Sequence, residues 1–183
     1  MRRSIIAVIL TILVVGMYAP RLYAQDQNSV SALKQQIIDI QNQGQLGFRN
    51  FTLCSSIVNY GEYTPYPDAR VKAGSTIYFY YEPENIYTER VAGMYHISFT
   101  QDMIVKTSSG ETMLESPDAL KFDYKSRSPV LDVYAVNSLK LGQLPAGKYV
   151  FIAVVHDKLR NADARHEFTF EVVDQSPSAD SQQ

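Results

Sequence analysis

Apolar positions over residues 29–43 recur at helical spacing. Val30, Leu33, Ile37 and Ile40 stand three and four apart, which predicts an amphipathic helix from Ser29 to Gln43 with one apolar stripe. Asn28 or Ser29 can cap its start, and Gly44 suits the position just past its end. The opposite face is Gln and Asn with little charge. The helix is expected to pack on the domain that follows or to form a semi-mobile lead-in to it. The spacing of the stripe also fits a short two-heptad seam through which copies of the chain could oligomerise.

From Phe48 onward the period shortens to two. Phe51, Leu53, Ser55 and Ile57 alternate with Thr52, Cys54, Ser56 and Val58. The run Thr76 to Tyr81 is dense in β-branched and aromatic residues, which suit a pleated, half-buried surface. Strands are likewise predicted over Met94–Thr100, Met103–Lys106, Glu111–Leu114, Ala119–Tyr124, Val130–Val136, Lys148–His156 and His166–Val173. Ser108-Ser109-Gly110 reads as a hairpin turn. Between Tyr60 and Gly74 the prolines Pro65 and Pro67 predict an irregular loop. Strands at this spacing, with no helices between them, indicate an antiparallel sandwich or barrel. The fold class is therefore all-β, preceded by one short helix.

A local motif sharpens this. Leu144-Pro145-Ala146-Gly147-Lys148-Tyr149-Val150-Phe151 resembles the tyrosine corner of immunoglobulin-like and fibronectin III-like β-sandwiches. The resemblance implies that Tyr149 is buried near the start of a late strand, with its hydroxyl bonded to upstream backbone. The Cys…Trp…Cys core of antibody domains is absent, because the chain has no Trp and one Cys. The chain is also similar to an uncharacterised family of secreted bacterial proteins that combine a signal, a Phe-x-Leu-Cys strand (here Phe51 to Cys54), a Tyr/Gly-rich loop and a terminal Ig-like hairpin. That similarity implies no activity.

The first residues change the compartment. Arg2-Arg3 precedes an apolar run from Ser4 to Gly16, and Tyr18 to Ala24 ends on a small residue after Pro20. This is the pattern of a secretory signal, cleaved after Ala24. A membrane anchor would need roughly 20 apolar residues, which this run does not reach. Residues 1–24 are thus read as signal, 25–46 as helix and linker, 47–174 as sandwich and 175–183 as a disordered polar tail. A periplasmic or extracellular location is expected, with no membrane span after cleavage. Losing Arg2, Arg3 and Arg21 would move the formal charge from −2 to −5. Such acidity argues against a nucleic-acid partner, which wants a basic face. Cys54, the single cysteine, has no partner for an internal disulfide and is read as a buried structural thiol.

Few residues suggest chemistry. The 13 tyrosines include Tyr60, Tyr63, Tyr66, Tyr78, Tyr80, Tyr81 and Tyr87 within one short stretch. Tyr60, Tyr63 and Tyr66 on the Pro-bearing loop are the candidate contact residues, since tyrosine offers rigid area with a polar tip. His156 and His166 flank the last turn, and alternation would bring both to one end of the sandwich if their faces point inward. With a carboxylate they could hold a metal, although Lys158, Arg160 and Arg165 would repel a cation. No nucleophile–base pair or phosphate-binding loop is visible, and nothing near Glu82-Pro83-Glu84 would shift either carboxyl group. The expectation is a non-catalytic binding or assembly module without cofactor, acting on an envelope protein or, alternatively, a glycan. A small metal-dependent or hydrolytic enzyme is the third reading.

Overall fold

The computed structural model describes residues 29–174, so the predicted signal and polar tail lie outside it. Residues 29–43 form the helix α1. The chain divides into two compact units at Ile40/Gln41, and most of α1 belongs to the first. Within that unit the expected packing stripe is the exposed side: Val30, Leu33, Ile37 and Ile40 are 52%, 57%, 42% and 70% exposed. Ile38 is buried instead, a position about 100° around the helix from Ile37. Periodicity locates an apolar stripe, but not which side of the helix is sheltered.

In the second unit the strands are β1 (Gly47–Asn59), β2 (Glu62–Pro65), β3 (Arg70–Lys72), β4 (Thr76–Glu84), β5 (Glu89–Val91) and β6 (Met94–Thr107). They continue as β7 (Thr112–Ser126), β8 (Ala135–Lys140), β9 (Gly147–Asp157) and β10 (Ala162–Val173). One sheet has the order β2-β1-β4-β8. The other runs β3-β10-β9-β6-β5, with β7 on the opposite side of β6. All pairings are antiparallel except β3 with β10. The molecule is a mostly β, sandwich-like fold with one helix ahead of the strands.

Period-two alternation explains the core. Ile77, Phe79 and Tyr81 of β4 face Tyr149, Phe151, Ala153 and Val155 of β9, all buried, together with Phe170 and Val172 of β10. Phe79 stacks on Phe151 with ring centroids 3.8 Å apart, joining the two sheets at their centre. A polar bridge also crosses between them: the Tyr81 hydroxyl donates to Gln101 Oε1 at 2.8 Å, and both residues are fully buried. Tyr149 is buried, and its hydroxyl donates to the Pro145 carbonyl at 2.8 Å, the back-bond that a tyrosine corner requires. This ties β9 to the turn that feeds it.

The structure corrects several predicted elements. The expected strand Val130–Val136 is irregular up to Tyr134, and β8 begins at Ala135. There Ala135, Asn137 and Leu139 supply the inward positions. The predicted loop 60–74 contains β2 and β3, and Pro65 is tolerated because β2 is an edge strand. The two strands expected over 94–106 are the single long strand β6.

The β9–β10 turn is held by a fully buried carboxylate. Asp157 accepts the Tyr87 N–H at 2.7 Å and the Leu159 and Arg160 N–H groups at 3.1 Å each. Arg160 in turn donates to the carbonyls of Gly44 and Asn85, both at 2.7 Å. A buried charge persists only with such partners. A Cβ at Gly44 would lie 2.5 Å from Asn85 Cγ, so a larger residue there would have to displace the Asn85 side chain from its bond to the Gln45 carbonyl.

Candidate functional site

The outer face of the four-stranded sheet carries the most organised polar cluster. On β4, Tyr80 and Glu82 point away from the main core, yet both are buried. A register shift in β1 between Arg49 and Thr52 puts Asn50 at φ +56°, a conformation Asn tolerates better than most residues. From this bulge Arg49 Nε donates to Glu82 Oε2 at 2.8 Å and Asn50 Nδ2 to Oε1 at 3.1 Å. The Tyr80 hydroxyl donates to Oε1 at 2.9 Å. It accepts the Gly61 N–H at 2.9 Å, which docks the β1–β2 turn.

That turn has a loop of two residues, Tyr60 and Gly61, between the paired Asn59 and Glu62. Gly61 has φ +68°, which glycine adopts without the strain a Cβ would bring. Tyr60 is thereby held at the tip, 41% exposed, with its hydroxyl 3.4 Å from Glu82 and 3.2 Å from Arg49 Nη2. Arg49 Nη2 also reaches Asp132 at 3.3 Å. Tyr134, from the irregular segment before β8, packs on Tyr80 at 5.7 Å and lies 6.1 Å from Tyr60. Exposed Tyr60 and Tyr134 touch edge to face and, with the Arg49–Asp132 pair beside Tyr60, form a polar-aromatic patch on a buried base.

The electrostatics follow from this geometry. Burial alone would raise the Glu82 carboxyl, but bonds from Asn50, Tyr80 and Arg49 outweigh it and hold the group below the usual carboxylate range. Burial, with the nearby Glu82 charge adding to it, pushes the Tyr80 phenol up to about 12. Glu82 is thus a fixed anion and Tyr80 a fixed donor. The expectation that nothing shifts the Glu82 carboxyl is overturned: Tyr80 donates to it from two positions away on β4, and Asn50 and Arg49 arrive from β1, over 30 positions away.

The three candidate tyrosines do not form one surface. Tyr63 lies in β2, half-buried, with its ring 4.3 Å from that of Tyr80. Tyr66 is partly buried against the main core. Tyr60 alone is exposed at the tip, and Tyr134 joins it. The sequence conceals Tyr134 inside a run that reads as a strand, so alternation assigned it to a sheet.

The two candidate histidines lie on opposite faces of the β9–β10 hairpin. His166 pairs with Ala153 on the inner face and stacks on Phe51 at 4.3 Å. Burial lowers its pKa. His156 pairs with Asp163 on the outer face, so the predicted meeting of the imidazoles fails on the direction in which β9 presents its even positions. Its Nδ1 lies 2.7 Å from Asp163 Oδ1 and its Nε2 3.1 Å from Asp102 Oδ2. Burial opposes the charged ring, but these carboxylates raise its pKa. Among the described residues no group of three or more His, Cys, Asp or Glu side chains could hold a metal ion.

Cys54 is fully buried on the Glu82 side of β1, and burial pushes its thiol up to about 11. Among the described residues no helix is long and apolar enough to cross a membrane.

No family model and no curated protein sequence matches the chain. Solved structures similar to it include the Pseudomonas fluorescens alkylpurine DNA glycosylase AlkC, at 10% identity and a TM-score of 0.41, over 78% of this chain and 35% of that one. A family 123 glycoside hydrolase from Clostridium perfringens matches at 9% identity and a TM-score of 0.42, over 58% of this chain and 22% of that one. An immunoglobulin-like protein from Pseudomonas aeruginosa matches at 14% identity and a TM-score of 0.34, over 72% of this chain and 98% of that one. The chain therefore spans about a third or less of the first two proteins.

Proposed function

We propose that the chain is an exported, non-catalytic binding or assembly module that engages a protein of the cell envelope through the Tyr60–Tyr134 patch. Export rests on the Arg2-Arg3 and Ser4–Gly16 pattern with its small-residue end at Ala24. The observation that carries the binding reading is the exposure of Tyr60 and Tyr134 on a base held by Glu82 and Tyr80. Tyrosines fixed in this way lose little conformational freedom on contact, which favours association. Arg49 and Asp132 add a charge pair at the rim, which suits orientation more than affinity. Glu82 is held ionised by its partners, which suits it to scaffolding rather than to giving up a proton.

The test is capture from envelope extract by the immobilised wild-type protein and by a Tyr60→Ser/Tyr134→Ser variant. The expected result is a protein retained by the wild type and lost from the variant, with an unfolding midpoint close to wild type. A folded double variant that retains the same partner overturns the assignment of the surface. Retention that survives protease treatment of the extract and is released by free sugar moves the reading to a carbohydrate-binding module.

A further inference from the structure

We propose that β7 is a self-association edge, through which two copies of this chain pair antiparallel over residues 119–125 about a two-fold axis at Phe122. Among the described residues β7 pairs with β6 alone, so its far edge carries backbone groups with no strand beside them. Such an edge is a template for another strand unless something blocks it. The N-terminal part is blocked. Pairing with β6 shifts between Ser116 and Leu120, Pro117 has no N–H to offer, and Asp118 takes φ +50°. Asp102 fixes that bulge by accepting the Asp118 N–H at 2.8 Å. From Leu120 to Ser126 the ladder with β6 is regular, and the edge is open.

The side chains then select the register. Leu120, Phe122 and Tyr124 pair with inward positions of β6, whereas Lys121, Asp123 and Lys125 lie on the outer face. A two-fold axis must match inner positions to inner ones and outer to outer. Centred on Lys121 or Asp123, it sets like charges directly opposite, which is destabilising. Centred on Tyr124, it also sets Asp123 opposite the partner's Lys125, but it opposes Lys121 to Arg127, beyond the strand, and leaves residues 119–121 without strand partners, so fewer residues pair than about Phe122. Centred on Phe122, it opposes Lys121 to the partner's Asp123 and, by symmetry, the reverse, giving two ion pairs on the outer face. On the inner face Leu120 then meets the partner's Tyr124. This is the self-complementarity that a two-fold interface requires.

The surroundings fit such an occupant. Tyr124 is 47% exposed although it belongs to the inner face. With Phe122, Val130, Asp132, Val133 and Tyr134 it lines an open apolar groove of about 330 Å³ beside the edge. A second strand arriving on β7 brings the partner's Leu120 and Tyr124 to that groove. Lys121 and Asp123 are 69% and 66% exposed, and their present contacts, an ion pair with Asp118 and a hydrogen bond with His96, lie within the same chain, so both can turn toward a partner.

The groove shares Asp132 and Tyr134 with the Tyr60 patch, so the test is placed on Lys121 and Asp123, which lie outside that patch, and is made by charge exchange. Sedimentation equilibrium of the purified protein is expected to show a monomer–dimer equilibrium. Lys121→Glu and Asp123→Lys should each raise the dimer dissociation constant by about tenfold or more, since each creates two like-charge pairs. The double variant Lys121→Glu/Asp123→Lys should restore it to within about threefold, all at unchanged circular dichroism. A wild-type chain monomeric up to about 1 mM, the weakest range of specific association, overturns the proposal. So does a dimer indifferent to Lys121→Glu, or a folded double variant that stays monomeric.

Discussion

His156 and His166 sit on opposite faces of one hairpin and respond to pH in opposite senses. The His156 ring bridges Asp102 of β6 and Asp163 of β10, and its pKa is raised above the ordinary value of 6.5. Its stabilising contribution is complete below that value and is lost as pH rises through the raised pKa. His166 is buried against Phe51 with a lowered pKa, so its contribution is present above 6.5 and is lost as pH falls. In urea titrations at pH 5 and pH 8, His156→Gln should destabilise by a few tenths to about 1 kcal/mol at the lower pH and by less at the higher. Equal destabilisation at both would show that the ring acts by packing alone. His166→Phe should flatten the loss of stability on the acid side. Both rings were visible as candidates in the sequence. Their separation was not, because alternation places residues on one face or the other without saying which face is inward.

At the scale of the element, the turn into β9 is where local sequence says most. Pro145, Gly147 and Tyr149 lie within five positions, and the back-bond from Tyr149 to Pro145 closes inside the motif. Tyr149→Phe should destabilise by about 1 kcal/mol, because the bond from the buried Tyr149 side chain to the Pro145 carbonyl is lost. A urea midpoint equal to wild type would remove the corner from the account of the fold. Elsewhere the elements were less legible. Residues 130–134 alternate like a strand yet join no strand ladder among the described residues, while β2 and β3 are short and held by β1 and β10 rather than by their own pattern. The α1 stripe was plain in the sequence, but its exposure was not, since Ile38 rather than the stripe is buried.

For the whole molecule, folding rests on the aromatic core between the sheets and on buried polar hubs, without a disulfide. Cys54 is buried with its thiol pushed up to about 11, so it is neither exposed nor activated. Cys54→Ala should remain a cooperative folder, destabilised by about 1 kcal/mol for the small volume lost. A Cys54-dependent dimer on non-reducing gels would contradict a buried thiol. It would also separate that route to a dimer from pairing at β7, which survives reduction.

By itself the sequence determined the fold class, the helix before the strands, the strands with clean period-two alternation and the corner at Tyr149. Each of these depends on neighbours a few residues away, so spacing and residue type suffice. Only the tertiary structure decided which tyrosines are exposed and that Glu82 and Asp157 are buried and hydrogen-bonded. It also separated His156 from His166 and left β7 as an edge. Those facts depend on partners 30 to 70 residues distant, such as Arg49 for Glu82 and Tyr87 for Asp157. Burial of a charge is a property of what surrounds it, and no local pattern encodes the strand that arrives beside it.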